Sequence, residues 1–239
     1  MGSTKSSFRN GILAFFDSLT HERVLPVAGC MFKEDFLGKD TIPPERFTYI
    51  DVSSAGNTTP IIAADVANGV LRLPLDSTSE AQESGVYWND QRPLVLNQGL
   101  VCEMGISLQT LPTLLGIGVW GLAGNKNAVA DTVAESIWFR VDGSGAITVE
   151  SDDTANEQAV ISTGVTFTAG QKKIFRIDCT TITDIKFYID GVNVAAGTTF
   201  NMSTVPTLAL QPYIHLAKAS GAGLGVIDVD FIRLWQHRS

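Results

Sequence analysis

Two carboxylates stand one residue apart near the end of the sequence, in the segment 227–231, IDVDF. Positions i and i+2 of a β-strand project from the same face, so Asp228 and Asp230 are expected to lie side by side. Hydrolysis of a glycosidic bond with retention needs two carboxyl groups roughly 5–5.5 Å apart, one ionised and one protonated. Acidic residues on one face of a strand are also found where that face is solvated or hydrogen-bonded. We expect such a face here, assign no catalytic residue, and keep hydrolysis by Asp228 and Asp230 as an alternative.

The spacing of histidine and cysteine gives no support to a zinc site, because no His-x-His or Cys-x-x-Cys pair occurs. We expect no bound metal and no cofactor. Cys102 and Cys179 fall on the apolar phase of their predicted strands, where a free thiol behaves as a small hydrophobe, and Cys30 is distant in sequence. The segment 220–225, SGAGLG, lies between predicted strands and does not open a helix, so it predicts a turn and not a phosphate-binding loop.

A candidate glycan contact lies in the middle of the sequence. Gly116, Gly118 and Trp120 share one phase of a predicted strand, and glycines on one phase allow a neighbouring backbone or a ligand to approach closely. The polar loop 123–135 follows, and loops of this length often carry binding. If a ligand approaches, Trp120 stacks on a sugar ring and Asn125 and Asn127 contact its hydroxyl groups. Trp88 and Trp138 could stack on sugar rings in the same way. The alternative is that all three tryptophans are buried inside a sandwich.

The elements that would position these residues are β-strands. In the segment 173–195, Phe175, Ile177 and Cys179 alternate with charged residues, and the alternation returns at 185–189. Asp190-Gly191 then predicts a tight hairpin turn. A meander of this kind must lay its apolar face on another sheet. About a dozen such strands, separated by Gly and Asp turns, predict an all-β fold, an antiparallel sandwich or jelly roll.

Length and composition limit the possibilities further. The 239 residues are compatible with one main β domain, and 44% apolar and 18% charged residues are typical of a globular chain. A net charge of −8 argues against nucleic acid as a partner, and no segment reaches the length of a membrane span. We predict a sandwich over residues 32–239 and, over residues 1–31, an N-terminal arm. The apolar positions Ile12, Phe15, Phe16 and Leu19 predict a short amphipathic helix in that arm, which docks on its own domain or on a neighbouring subunit.

Four segments together resemble the concanavalin A-like lectin/glucanase jelly roll, in the form found in structural proteins of tailed bacteriophages. They are KEDFLG (33–38), NGVLRL (68–73), FYIDGV (187–192) and IDVDF (227–231). The resemblance covers residues 32–236. The last segment is similar to the Glu-Ile-Asp-Ile-Glu pattern of family-16 glucanases, with Val226 in place of the nucleophilic glutamate.

The resemblance implies a non-enzymatic virion protein, namely a capsid decoration (cement) protein that is made in the bacterial cytoplasm and binds the outside of the phage head. Its partners would be the major capsid protein and further copies of itself. Because several linked weak contacts raise avidity, we expect a homotrimer or another small closed oligomer, held through Ile12, Phe15, Phe16 and Leu19. The alternative function is a carbohydrate-binding module of a phage fibre or host-attachment protein, with Trp120, Asn125 and Asn127 as the glycan contacts.

Overall fold

A computed structural model describes residues 4–9, 12–17, 29–38, 46–64, 66–113, 115–205 and 209–237, with side chains from Met31 onward. This described part is nearly all β, with two single turns of 3₁₀ helix at Leu96–Gln98 and Ala130–Thr132. Its strands are β1 (Thr4–Arg9), β2 (Ile12–Asp17), β3 (Gly29–Glu34), β4 (Thr48–Val52), β5 (Ile61–Ile62), β6 (Leu71–Leu75), β7 (Gln82–Tyr87), β8 (Leu94–Val95), β9 (Val101–Thr110), β10 (Gly116–Ala123), β11 (Ser136–Val141), β12 (Ala146–Asp152), β13 (Glu157–Thr166), β14 (Lys172–Asp178), β15 (Lys186–Ile189), β16 (Val192–Val194), β17 (Ala209–Lys218) and β18 (Gly225–His237).

Two antiparallel sheets form a sandwich, as predicted. The front sheet has the order β13-β12-β11-β10-β17-β7-β4, with β8 paired to β17. The back sheet has the order β16-β15-β14-β9-β18-β6-β5, with β3 paired to β18. The inner faces of both sheets contribute to one buried apolar cluster. Each sheet therefore has an outer face, and we call the outer face of the front sheet the front face.

The alternation in the sequence decides which side chains turn inward. In β9, Cys102, Met104, Ile106 and Leu108 are buried in the common core, and β14 and β15 bury their apolar phase in the same way. The turn between β15 and β16 has positive φ angles at Asp190 (51°) and Gly191 (81°), which confirms the predicted hairpin.

Aromatic rings from both sheets meet at the centre of the sandwich. Trp120 of the front sheet lies 4.9 Å, centroid to centroid, from Phe175 of the back sheet in an edge-to-face arrangement. Phe139 lies 4.8 Å from Phe175 and 5.2 Å from Phe187, also edge to face. Such pairs add to the stabilisation that burial alone provides.

The predicted helix in the N-terminal arm is wrong. Ile12–Asp17 is the strand β2, which pairs with β1 in a separate two-stranded sheet, with Arg9 opposite Ile12. Asn10-Gly11 separates the two strands in the sequence, and this dipeptide strongly favours a two-residue hairpin. The segment 12–17 also contains Ile and two Phe residues, which favour strands. The side chains of Ile12, Phe15 and Phe16, and Leu19 as a whole, lie outside what the structure describes.

The sandwich begins earlier than predicted. Strand β3 starts at Gly29 and pairs with β18 from Gly29 opposite His237 to Glu34 opposite Ile232. Residues 29–31, which we assigned to the arm, therefore belong to the back sheet.

Cys102 and Cys179 are buried free thiols, as predicted, and burial raises the pKa of both. Among the described residues, no group of three or more His, Cys, Asp or Glu side chains is arranged to hold a metal ion. In the same part of the chain, no helix has the length and apolar character needed to cross a membrane.

Candidate functional site

Two large aromatic residues lie on the front face, where an antiparallel sheet usually meets water. Trp138 of β11 and Tyr213 of β17 stack with ring centroids 6.0 Å apart, and Trp138 is only 1% exposed. Residues 124–135, here called the cover loop, lie over them, and Ala130 and Val133 of this loop are buried in the same cluster. The front face therefore carries a second buried apolar cluster, which the cover loop shields from solvent.

Polar contacts attach the cover loop to the sheet and to the chain after β7. The Tyr213 hydroxyl donates a hydrogen bond to the backbone oxygen of Asn127 at 3.0 Å. The backbone N–H of Lys126 donates to Asp90 Oδ1 at 2.9 Å. Burial raises the pKa of Tyr213, so its hydroxyl remains protonated and able to donate at physiological pH.

Glu150 of β12 holds the Trp138 side chain in place. The Trp138 indole N–H donates to Glu150 Oε2 at 2.7 Å, and Arg140 donates to Glu150 Oε1 at 2.9 Å. Arg140 also pairs with Asp131 of the cover loop. Both oxygens of Glu150 and the charge of Arg140 are thus engaged, which fixes these side chains before any ligand arrives.

A second charged group lies across the front face, on β7 and β17. Buried His215 donates from Nε2 to Glu83 Oε2 at 3.1 Å, and Lys126 Nζ lies 2.9 Å from the same oxygen. The hydrogen bond from His215, followed by the contact with Lys126, lowers the pKa of Glu83 from 4.5 to about 2. Glu83 therefore ties the cover loop to the sheet as a carboxylate.

The lowered pKa of Glu83 predicts that the fold loses stability in acid. A carboxyl group whose folded-state pKa lies below its unfolded value stabilises the fold above the unfolded pKa, and this stabilisation is lost as the pH falls from about 4.5 through about 2. We expect Glu83 to contribute about 1–3 kcal/mol to the free energy of unfolding at pH 6. Urea denaturation of Glu83→Gln at pH 6 and pH 2.5 should show a loss between the two pH values that is smaller than wild type by this amount. Glu103→Gln on the back sheet leaves the Glu83 contacts intact and should behave as wild type; equal losses in all three proteins would contradict the prediction.

A pocket of about 190 Å³ opens beside Trp138, at the β11–β12–β13 edge of the front sheet. Thirteen residues line it: Ala130, Asp131, Val133, Ser136, Trp138, Arg140, Glu150, Ser151, Asp152, Glu157, Gln158, Ala159 and Val160. Val160 on its wall is 55% exposed and has a φ of +52°, a conformation that is strained for a β-branched residue. A small cavity with aromatic, apolar, carboxylate and guanidinium walls can enclose one small polar ring.

The structure contradicts Trp120 as a glycan contact. Trp120 turns into the sandwich, is 0% exposed, and packs on the rings of Phe139, Phe167 and Phe175. Gly118 on the same phase does allow a close approach, but by the back sheet: a Cβ there would lie 3.0 Å from Ile227 Cδ1. The side of β10 that carries Gly118 and Trp120 therefore faces the core of the sandwich.

The other candidate residues have mixed outcomes. Asn125 and Asn127 lie partly exposed on the cover loop, where Asn125 Nδ2 donates to the backbone oxygen of Lys126 and Asn127 Oδ1 accepts the N–H of Val129. Their role as glycan contacts stays a prediction.

Trp138 belongs to the candidate site, and the sequence of β11 indicates that it lies on the outer face. Trp138 shares its phase with Ser136 and Arg140 and not with the apolar residues between them.

Asp228 and Asp230 do not form the regular pair expected from their spacing. A β-bulge between Val229 and Phe231 interrupts the alternation of β18 against β9. Arg72 binds Asp228 through two hydrogen bonds of 2.8 Å, and Lys172 pairs with Asp230. The two carboxylates are thus held by separate cations on the back sheet, opposite the pocket.

Neither a protein-family model nor a curated protein sequence matches this chain. Solved structures do match. An endo-acting O-glycanase of the human gut microbiota is 13% identical, with a TM-score of 0.61 over 87% of this chain and 99% of that one. A β-1,3-glucanase from Mycobacterium marinum is 17% identical, with a TM-score of 0.55 over 85% and 97%. The carbohydrate recognition domain of Emp47p is 8% identical, with a TM-score of 0.51 over 85% and 94%. The chain has a concanavalin A-like jelly-roll fold.

These similarities correct the predicted function. The structures named are two glycanases and a carbohydrate recognition domain, so the prediction of a capsid decoration protein is wrong. The prediction that the chain is not an enzyme is contradicted by the same glycanases. The alternative prediction, a carbohydrate-binding module, agrees better with these similar structures. The predicted partners, which are the major capsid protein, further copies of the chain and a glycan, stay predictions, as does the location in a virion.

Proposed function

We propose that this jelly-roll protein binds carbohydrate in the pocket beside Trp138. The observation that carries the proposal is a preformed polar arrangement on the front face: Trp138 and Arg140 are both held by Glu150, at the wall of a cavity. The similar structures include a carbohydrate recognition domain and two glycanases, which supports a glycan as the ligand.

The chemistry of the walls suits a sugar. Sugar hydroxyl groups donate hydrogen bonds, and carboxylates accept them strongly; Asp152 and Glu157 line the pocket. The apolar side chains of Val133 and Val160 can contact the C–H faces of a ring. Because Trp138 is already fixed by packing and by its hydrogen bond to Glu150, binding costs little ordering of this side chain.

The size of the pocket limits what it encloses. Its volume of about 190 Å³ lies below the roughly 300–1,000 Å³ of sites that bury drug-sized ligands. We therefore expect one sugar unit to enter, with the rest of any longer glycan lying outside. Affinity should be modest for a single unit, since few atoms are enclosed.

A pocket-blocking variant tests the proposal. Ala159 lines the pocket and is exposed, so Ala159→Trp should fill the cavity without disturbing the core. We expect the full chain to bind a defined group of glycans on an array, and Ala159→Trp to lower their affinity at least about tenfold, the equivalent of 1.4 kcal/mol.

Ala146→Trp is the matched control, because Ala146 is also exposed, begins the neighbouring strand β12 and does not line the pocket. It should bind as wild type. Absence of any glycan binding by the wild-type chain, or unchanged affinity in Ala159→Trp, would refute the proposal.

A further inference from the structure

The walls of the pocket carry an excess of negative charge. Asp131, Glu150, Asp152 and Glu157 line the pocket, and Arg140 is the basic residue among the lining side chains. Four acidic side chains thus line the pocket with a single guanidinium among them.

Arg140 is not available to bind an anion. It donates to Glu150 Oε1 at 2.9 Å and pairs with Asp131, so its charge is already compensated by two carboxylates. A ligand carboxylate placed beside it would have to displace one of these partners and would meet the other. Arg140 therefore acts as part of the wall and not as an anion-binding group.

Two of the carboxylates keep their charge uncompensated. In the described part of the chain, no Lys, Arg or His forms an ion pair with Asp152 or Glu157. Asp152 Oδ1 accepts the backbone N–H of Thr154, which leaves its other oxygen for a ligand, and Glu157 is exposed. A recess whose walls carry mostly negative charge concentrates a negative potential, and an acidic ligand in contact with these carboxylates would be repelled.

We infer that the pocket selects glycans by charge and takes a sugar unit with a protonated amine, of the glucosamine type, in preference to its neutral N-acetyl form and to uronic acids. This inference rests on the proposed function and names the chemical class of its ligand. The ammonium group pairs with Asp152 and Glu157, while the ring lies against the exposed side chains of Ala159 and Val160 beside the buried Trp138. The chain's net charge of −8 adds to the exclusion of acidic glycans.

The test titrates the full chain with glucosamine, N-acetylglucosamine and glucuronate at pH 6, where the amine is protonated. The nuclear magnetic resonance signal of the Trp138 indole N–H reports binding at the pocket. We expect glucosamine to shift this signal at the lowest concentration, N-acetylglucosamine to follow, and glucuronate to have no effect. Added salt should reduce the preference for the amine, because these carboxylates are near solvent.

A pair of double variants separates local charge from total charge. Asp152→Asn with Glu157→Gln removes two charges at the pocket, and Asp230→Asn with Glu103→Gln removes two on the outer face of the back sheet. The pocket variant should lower the preference for glucosamine over N-acetylglucosamine by about threefold to thirtyfold, as two partly exposed ion pairs would provide. The back-sheet variant should leave the preference unchanged.

The outcomes distinguish this inference from the proposed function. If glucuronate binds as well as glucosamine, or if the pocket variant keeps the wild-type preference, selection by charge is wrong while carbohydrate binding stands. If the array shows glycan binding but none of the three sugars shifts the Trp138 signal, the inference fails at this pocket. If the array shows no binding and no sugar shifts the signal, both fail.

Discussion

Lys218→Met is expected to lower the free energy of unfolding by about 3–5 kcal/mol. Lys218 lies at the end of β17 and is 2% exposed. Its ammonium group donates to three backbone carbonyl oxygens, those of Asp76 at 2.6 Å, Thr78 at 2.8 Å and Gly223 at 2.9 Å. Methionine has a similar length but donates no hydrogen bond, so three carbonyl groups of two separate turns would lose their shared donor.

The measurement is urea denaturation followed by tryptophan fluorescence, with Lys172→Met as the matched control. Lys172 is half-exposed and pairs with Asp230 on the outer face of the back sheet. A surface pair of this kind contributes at most about 1 kcal/mol. A loss for Lys218→Met as small as that of Lys172→Met would show that the three carbonyl groups find other donors, and that the ammonium does not hold the two turns together.

Lys218 also shows which contacts the alternation of residues along a strand does not predict. Its phase in β17 follows from the alternation, but the partners of its ammonium group come from residues 76, 78 and 223. The pattern within a strand gives the direction of a side chain relative to the sheet, whereas contacts between distant turns depend on the packing of the whole sandwich. Strand positions such as those of β9, β12 and β14 were predictable because most of the apolar residues of each strand share one phase, and that phase is buried.

The N-terminal segment shows a different limit. Over the six residues of β2, the apolar positions satisfy a helical spacing as well as an extended one, and a segment this short does not separate the two periods. The decisive signal is outside the segment, in Asn10-Gly11, which precedes it and favours a hairpin. The bulge at Asp230 has no comparable signal in the sequence, because it arises from the register of β18 against β9.

To predict the candidate site from the sequence, one must know which side of each strand faces the core. In β10 both phases are apolar, with Ile117 and Val119 on one and Trp120 and Leu122 on the other. A loop covers the front face and buries Val119 as fully as Trp120, so the usual contrast between a wet and a dry phase is absent. In β11 the two phases still differ in polarity, because Trp138 shares its phase with the charged residue Arg140. The position of Trp138 on the front face was thus indicated by its neighbour on the strand.

Trp120→Ala is the substitution that tests this assignment of phase. Trp120 packs between rings of both sheets, and truncating a buried tryptophan typically costs about 3–5 kcal/mol, because its contacts are lost and a cavity remains. Trp120→Phe should cost less, about 1–2 kcal/mol, for two reasons. The ring contacts with Phe139 and Phe175 are partly kept. In addition, the indole N–H of Trp120 is buried without a hydrogen-bond partner in the described part of the chain, and phenylalanine removes this unpaired donor.

Glycan affinity provides the second readout, because stability and binding are expected to separate. Trp120 and the pocket lie on opposite faces of the front sheet, so Trp120→Phe should bind glycans with wild-type affinity at a temperature where both proteins are folded. Ala159→Trp should show the reverse, with wild-type stability and weakened binding. If Trp120→Phe instead abolishes binding while its unfolding curve matches wild type, Trp120 faces a ligand, and the phase of β10 is the opposite of the one described.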